Sequence, residues 1–192
     1  LLEVVAGEHT RAEALAAVRR FGDHGLGKTI VPCKDTPGFI ANRIGIYWLQ
    51  CGVVRAMDEG LTIEEADAVM GRPVGIPKTG VFGLLDMVGL DLMPHVLGAM
   101  AEALPKNDPF HEVFREPELI KRMIEQGYTG RKGKGGFYRL KPDTADKIKE
   151  AVDLETGEYR KAGKPKLASV TAAKKGGLRA LLEHGDKTGR YA

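Results

Sequence analysis

Two cysteines, Cys33 and Cys51, are too few for a disulfide framework and fit a reduced compartment, so a cytoplasmic location is expected. No apolar run reaches membrane-spanning length, and no membrane partner is expected. The histidines His9, His24, His95, His111 and His184 share no ligand spacing with one another or with the cysteines, which removes a zinc site. No metal is expected. No internal repeat is visible, so a solenoid is set aside. A strong charge of one sign is also lacking: the formal net charge is +3, with the basic excess gathered in the last third. That gives little support to a nucleic-acid partner, and none is expected. What remains is ordinary globular material. Hydrophobic residues make up 43% of the chain and charged residues 29%, enough to build a core and too apolar for disorder throughout. At 192 residues there is room for one large domain or two small ones.

The chain opens on Leu1-Leu2-Glu3-Val4-Val5, with no Met and no polar lead-in, and closes on Lys187-Thr188-Gly189-Arg190-Tyr191-Ala192. An apolar strand at a terminus would be an unpaired edge, so a piece of a longer polypeptide is expected. The alternative is a small protein whose N-terminal extension has been removed.

The first 34 residues read as a strand, a helix and a strand. Leu1 to Val5 is β-like. Thr10 with Glu13 predicts a capping box for a short helix. Ala14, Leu15, Val18 and Phe21 form its apolar stripe, and Gly22 and Gly25 end it. Thr29 to Cys33 is a second strand, with Pro32 marking an edge or a strand end. Such a unit is too small to stand alone and reads as the tail of an α/β domain. Asp35-Thr36-Pro37-Gly38 is turn chemistry. From near Pro37 to Gly60 a long helix carries apolar residues around most of its circumference, which predicts burial or packing on a second subunit. Thr62 and Glu65 make a capping box for a helix through Met70. Further helices are expected at about Phe82 to Val88, from Gly89 through Ala103 with Pro94 in its first turn, and at Glu118 to Gln126. Pro105 to Pro109 is a loop. A Gly- and Lys-rich stretch runs from Gly127 to Tyr138, a hairpin turns at Thr156-Gly157, and a last amphipathic helix spans about Val170 to Leu182.

Gly22-Asp23-His24-Gly25-Leu26-Gly27-Lys28-Thr29 matches the nucleotide P-loop pattern in full, and its context rejects it. A P-loop follows a strand and opens a helix, aiming helix amides at phosphate. Here a helix comes before and a strand after. Asn42, one turn into the apolar helix, has two readings: a polar group satisfied by a neighbouring carbonyl, or a donor to a substrate oxygen in a cleft. Glu3 lies between apolar neighbours and reads as a partly buried acid in need of a partner, or as an edge carboxylate in solvent. Asp86 suits helix-end or loop hydrogen bonding. Lys132 and Lys134 among glycines fit either a phosphate or ribose contact or a solvated surface turn.

Asp35-Thr36-Pro37-Gly38-Phe39-Ile40-Ala41-Asn42-Arg43 closely resembles the signature that opens the C-terminal helical domain of the NAD-dependent 3-hydroxyacyl-CoA dehydrogenases. Leu2-Glu3-Val4-Val5 resembles the strand that ends the catalytic-histidine region of that family. Phe82-Gly83-Leu84-Leu85-Asp86-Met87-Val88-Gly89-Leu90-Asp91 resembles its Phe-x-Leu-x-Asp-x-x-Gly-Leu-Asp segment, and Gly136-Phe137-Tyr138 its closing Gly-Phe-Tyr. The matches run in order from Leu1 to Arg139. Lys78-Thr79 is similar to the large versions fused to an enoyl-CoA hydratase unit. Departures are Val81 and Gly83 for the family Pro and Glu, and Gly133-Lys134-Gly135 within the usual Lys-Thr-Gly-x-Gly-Phe-Tyr.

The resemblance implies a mainly α fold: the C-terminal helical domain of a 3-hydroxyacyl-CoA dehydrogenase, with a short β-α-β remnant of an α/β Rossmann domain at its N-terminus. Residues 1–34 would be the remnant of the NAD-binding domain. Residues 35–140 would be the helical domain for substrate binding and dimerisation. Residues 141–192 would be hairpin, linker and helix leading towards a further domain. The implied activity is oxidation of (S)-3-hydroxyacyl-CoA to 3-oxoacyl-CoA with NAD in fatty-acid β-oxidation, with an acyl-CoA substrate and a homodimer. By position Glu3 would orient the catalytic histidine and Asn42 would hold the substrate oxygen. Lys132 would meet the nicotinamide ribose. The alternatives are a 3-hydroxybutyryl-CoA dehydrogenase of short-chain metabolism and a non-catalytic helical dimerisation module.

The Gly-x-Gly-x-x-Gly strand-turn-helix is missing from the sequence, as are the serine and histidine that precede the Glu3 strand in the family. The 192-residue chain alone is therefore expected to show no hydride transfer. Loss of NADH absorbance with a 3-oxoacyl-CoA, above a no-protein control, would refute this.

Overall fold

The computed structural model describes residues 1–142 and 147–185, so the closing residues 187–192 lie outside the described residues. Strand β1 (Leu2–Val5) lies parallel to β2 (Ile30–Cys33), with Leu2 opposite Ile30 and Val5 opposite Cys33. A parallel pair needs a crossover, and α1 (Ala12–Arg20) supplies it. The expected capping box is not formed. Thr10 Oγ1 instead accepts the Gly7 amide at 3.0 Å, and Arg11 caps α1 with no side-chain bond. Nor does Gly22 stop the helix, which continues as a π turn over Phe21–Gly25. Gly22 is there for contact: a Cβ at this position would sit 2.6 Å from Ile30 Cδ1 on β2. Chain reversal falls to Gly27, at φ +59°. Of the predicted stripe Leu15 is half-buried, whereas Val18 and Phe21 are 50% and 63% exposed, so the described residues cover that side of α1 only in part.

Helix α2 (Ala41–Asp58) starts four residues beyond Pro37, because Gly38 and Phe39 both take positive φ and shape a turn first. Its two halves differ. Phe39, Ile40 and Ile44, before and within the first turns, are exposed, whereas Leu49, Val53, Val54 and Ala56 are buried. The buried half is the centre of the core. Gly52 lets Val81 approach to a distance no Cβ would allow. Ile63, Phe82, Leu85, Leu97 and Phe137 close around it. Phe82 and Phe137 meet edge to face with centroids 4.8 Å apart.

Helix α3 (Ile63–Val69) begins with the predicted Thr62–Glu65 capping box, both halves formed. Helix α4 (Phe82–Val88) ends at Gly89 with φ +110°, and a 3-10 turn over Leu90–Leu92 leads into α5 (Met93–Ala103), with Pro94 in its first turn. A short α6 (Phe110–Val113) follows the Pro105–Pro109 loop and was not predicted. It forms because the Asp108 carboxylate accepts the Phe110 amide at 2.8 Å. Helix α7 (Glu118–Glu125) matches its prediction within a residue.

Strands β3 (Tyr138–Leu140), β4 (Lys149–Val152) and β5 (Tyr159–Lys161) form one antiparallel sheet. It spans both sides of the division drawn at residue 140. Ala151 and Val152 of β4 are buried in the same core as α2. Asp153 shapes the β4–β5 turn by accepting the Glu155 and Thr156 amides. Helix α8 (Ala168–Leu182) is interrupted at Gly177, whose φ is +66°.

One ion pair ties this sheet to the helices. Glu64 on α3, 8% exposed, takes both Arg160 Nη1 and Nη2 at 2.8 Å and the Gly163 amide at 2.7 Å. Burial pushes the Glu64 carboxyl up, but the Arg160 and Gly163 hydrogen bonds together outweigh it and hold it below the usual range. Its contribution to stability is therefore present above the unfolded-state pKa and lost as pH falls through the folded one. Glu64→Gln is expected to cost about 1–2 kcal/mol at pH 7, since Arg160 stays partly solvated, and less at pH 3. Urea unfolding at the two pH values measures it.

Candidate functional site

The first turn of α2 is held by two acids from distant parts of the chain. Glu3 on β1 is half-buried and faces the start of the helix. Its Oε1 accepts the Ile40 amide at 3.0 Å and the Ala41 amide at 2.8 Å. Amides at a helix start have no partner within the helix, and the helix dipole favours a negative group there. Beside Glu3 is Cys33, whose thiol is pushed up by burial and then by the Glu3 carboxylate. The second acid is Asp108, which pairs with Arg43 while also capping α6.

Asn42 sits between these anchors. The amide of the residue before it is fixed by Glu3, and the side chain of the residue after it by Asp108. The Asn42 side chain itself is exposed and has no hydrogen-bond partner among the described residues. Of its two sequence readings, satisfaction by a neighbouring carbonyl is not what the structure contains. Glu3 and Asn42, separated by 39 positions in the sequence, thus meet at one helix end.

Lys132 is on another part of the fold. It is exposed, in the tight loop closed by the Gly130 amide on the Gly135 carbonyl at 2.7 Å. That loop is fastened to α4: the Arg131 amide donates to the Asp86 carbonyl at 2.8 Å. Asp86 then accepts the Phe137 amide at 2.7 Å and the Tyr138 amide at 2.8 Å, the loop role expected of it. Lys134 donates to the Gln126 carbonyl at 2.9 Å. No hydrogen bond or ion pair among the described residues joins Lys132 to Glu3 or Asn42.

Sequence reading missed Asp67. It accepts the Phe82 and Gly83 amides at the start of α4 and the Tyr138 hydroxyl at 2.8 Å. A signal existed in the lack of any Ser, Thr, Asp or Asn directly before Phe82, which left that helix start in need of a remote acceptor. Asp67 and Asp86 border an open cleft of about 570 Å³ with Lys78, Arg131 and Lys149. Burial pushes both carboxyls up to about 6, against the hydrogen bonds that pull them down. Among the described residues no group of three His, Cys, Asp or Glu converges as a metal site would.

A dinucleotide cradle needs a glycine-rich turn from strand to helix. The β1–α1 loop, Ala6-Gly7-Glu8-His9-Thr10-Arg11, has one glycine, and its Gly7 amide is spent on Thr10. These residues do not fit that group.

Residues 38–140 match the sequence profile of the C-terminal domain of 3-hydroxyacyl-CoA dehydrogenase. A putative fatty acid oxidation complex trifunctional enzyme of Rickettsia prowazekii is 39% identical over 159 residues, covering 83% of this chain and 22% of that protein. A probable 3-hydroxyacyl-CoA dehydrogenase of Bacillus subtilis is 36% identical over 192 residues, covering 99% of this chain and 24% of that protein. Among solved structures, M. tuberculosis FadB2 superposes with a TM-score of 0.60 at 29% identity, over 72% of this chain and 47% of that one. The (S)-3-hydroxybutyryl-CoA dehydrogenase PaaH1 of Ralstonia eutropha gives 0.56 at 32%, over 68% and 44%. The chain thus spans about a quarter or less of the length of the two curated relatives.

The raised Asp67 and Asp86 carboxyls predict a pH effect. Between the unfolded value near 4 and the folded value of about 6, the folded state binds more protons than the unfolded one. Their contribution is therefore complete below the unfolded value and lost as pH rises through about 6. Asp86→Asn removes one of the two groups. The fall in unfolding free energy from pH 4.5 to 7.5 is expected to be shallower by about 1–3 kcal/mol in the variant, read from urea titrations.

Proposed function

Because the chain belongs to the 3-hydroxyacyl-CoA dehydrogenase family, we propose that it is the substrate-side part of a longer enzyme that oxidises (S)-3-hydroxyacyl-CoA to 3-oxoacyl-CoA in fatty-acid β-oxidation. Its small share of the length of its relatives supports the first half of this reading. The match over residues 38–140 supports the second. The hydride acceptor of the reaction is NAD, for which this chain supplies no cradle. Lys132 is assigned by resemblance alone to its nicotinamide ribose, and its exposure is compatible with that contact.

The chemistry assigned to this chain is positioning. Asn42 donates its amide N–H to the 3-oxygen of the substrate and so holds the reacting carbon in place. An amide donor already fixed in direction costs no reorganisation when charge builds on that oxygen. Glu3 has one oxygen committed to the α2 amides. Its carboxylate is the proposed partner of a histidine from elsewhere in the enzyme. There it would set the imidazole tautomer and favour the protonated ring.

The reading also includes a homodimer through the helical domain. In its support, Phe39, Ile40 and Ile44 leave apolar surface at the exposed half of α2. A cytoplasmic location belongs to the same proposal, and the two free cysteines agree with it.

The observation that carries the reading is the free Asn42 side chain between two anchored neighbours. The test is Asn42→Ala in the full-length protein, assayed with 3-oxoacyl-CoA and NADH. Turnover is expected to fall about 10²–10³-fold, as when one oxyanion donor is removed. Thermal stability should stay within about 0.5 kcal/mol of the parent, because the side chain is exposed and unbonded. Unchanged turnover would remove Asn42 from the reaction and leave the non-catalytic module as the better reading.

A further inference from the structure

Two adjoining hollows, of about 570 and 810 Å³, share Asp67, Lys78, Tyr138 and Lys149. Among the described residues none of α2 lines either one, so they are not part of the Asn42 turn. Lys78, Arg131 and Lys149 stand round the first, and Arg72, Lys164 and Lys174 round the second. All six are exposed, and none has a carboxylate within ion-pair distance among the described residues. The acids on the same walls are already engaged. Glu64 holds Arg160 and the Gly163 amide. Asp67 holds the Phe82 and Gly83 amides and the Tyr138 hydroxyl, and Asp86 the Phe137 and Tyr138 amides. The charge left over is positive, and a concave wall focuses it on an incoming anion.

The cationic end is shaped in advance. Lys149 Nζ lies 3.7 Å over the Tyr138 ring, whose hydroxyl is fixed on Asp67. A cation held in place before a ligand arrives loses less freedom on binding. Gly83 of α4 adds no side chain to the first hollow. A Cβ there would meet Thr79 Cβ at 3.5 Å and Asp67 Oδ2 at 3.6 Å, which is ordinary contact. Packing therefore does not demand glycine at a position where glycine weakens a helix, and what it provides is an open wall. The second hollow differs in lining. Ala68 of α3, Pro73 of the turn Arg72–Val74, Pro165, and Val170 and Ala173 of α8 give it apolar sides.

We infer that the two hollows form one binding site for a nucleoside diphosphate. The diphosphate lies among Lys78, Arg131 and Lys149, and the nucleoside against Pro73, Pro165 and Val170. The site goes beyond the reaction proposed above and uses none of its residues. A nucleic acid fits less well, because Tyr138, the one aromatic on these walls among the described residues, has its face taken by Lys149. The ligand is either a free nucleotide or the adenosine diphosphate end of coenzyme A, which present the same chemistry.

The experiment is calorimetric titration of the full-length protein in saturating NAD, which fills any dinucleotide cradle elsewhere in the enzyme. The probes are ADP, inorganic pyrophosphate and coenzyme A. The parent is compared with Lys78→Glu/Lys149→Glu and with Gly83→Glu, and circular dichroism and Tm report folding. ADP is expected to bind once per chain and more tightly than pyrophosphate. Its affinity should fall about tenfold or more in each variant, since a phosphate then faces a carboxylate. If the double variant does not fold, Gly83→Glu decides. No binding of ADP at about 1 mM, or an affinity within about twofold of the parent in a folded variant, overturns the site. So does ADP binding that NAD abolishes, or pyrophosphate binding as tight as that of ADP. Coenzyme A losing affinity in parallel with ADP identifies the ligand as its nucleotide end. Coenzyme A binding unchanged while ADP binding falls identifies a free nucleotide. None of these readouts needs turnover, so an inactive parent would remove the proposed reaction and leave this site standing.

Discussion

Backbone amides at the starts of helices and turns have no partner of their own, and in this chain carboxylates from outside the element supply one. Glu3 takes the Ile40 and Ala41 amides of α2, Asp67 the Phe82 and Gly83 amides of α4, and Asp108 the Phe110 amide of α6. Asp86 does the same for the extended Phe137 and Tyr138. None of these acids is within the helix or strand it serves. The Glu3, Asp67 and Asp86 bonds close long loops of chain and fix one element relative to another, whereas Asp108 caps α6 from two residues before it and reaches across the chain through Arg43. An unpaired buried amide costs about 1–3 kcal/mol, so losing one of these acids would free a helix end and also unfasten two segments.

The arrangement has a cost that the structure spreads unevenly. Asp86 is buried and Asp67 half-buried close to it, and desolvation raises both. Glu3 and Asp108 stand closer to solvent, where their charge meets a helix start and an arginine at little penalty. Asp67 and Asp86 together stiffen the joint between α4 and the closing strands. Glu3 and Asp108, both half-buried, stiffen the first turn of α2 without enclosing it. That difference leaves Asn42 reachable: a turn made rigid by burial would have covered it.

Local signals in the sequence were legible where one segment satisfies itself. Thr62 with Glu65, the Gly89 break and Pro94 in a first turn all describe bonds or angles within a few residues, and all appear as read. The reading failed where a group had a choice of partner. Thr10 was close to Glu13 for a capping box, but its hydroxyl went to Gly7 in the preceding loop. Gly22 looked like a helix stop and is a contact point for Ile30. Helix α6 depends on Asp108, which three- and four-residue spacing cannot weigh against a proline-rich loop. At the candidate site, the residue types of Glu3 and Asn42 were readable from the motif around them. Their convergence through Ala41 was not, because pairing across 38 positions leaves no periodic trace.

The two halves of α2 explain why one helix can serve both core and cleft. Its apolar residues run around most of the circumference, which suggested burial or packing on a second subunit, and among the described residues the half from Leu49 onward is enclosed. The same stripe that packs against Val81 and Phe82 continues towards the first turn, where no described segment covers it. A helix is stiff over this length, so direction set at the buried end is kept at the exposed one.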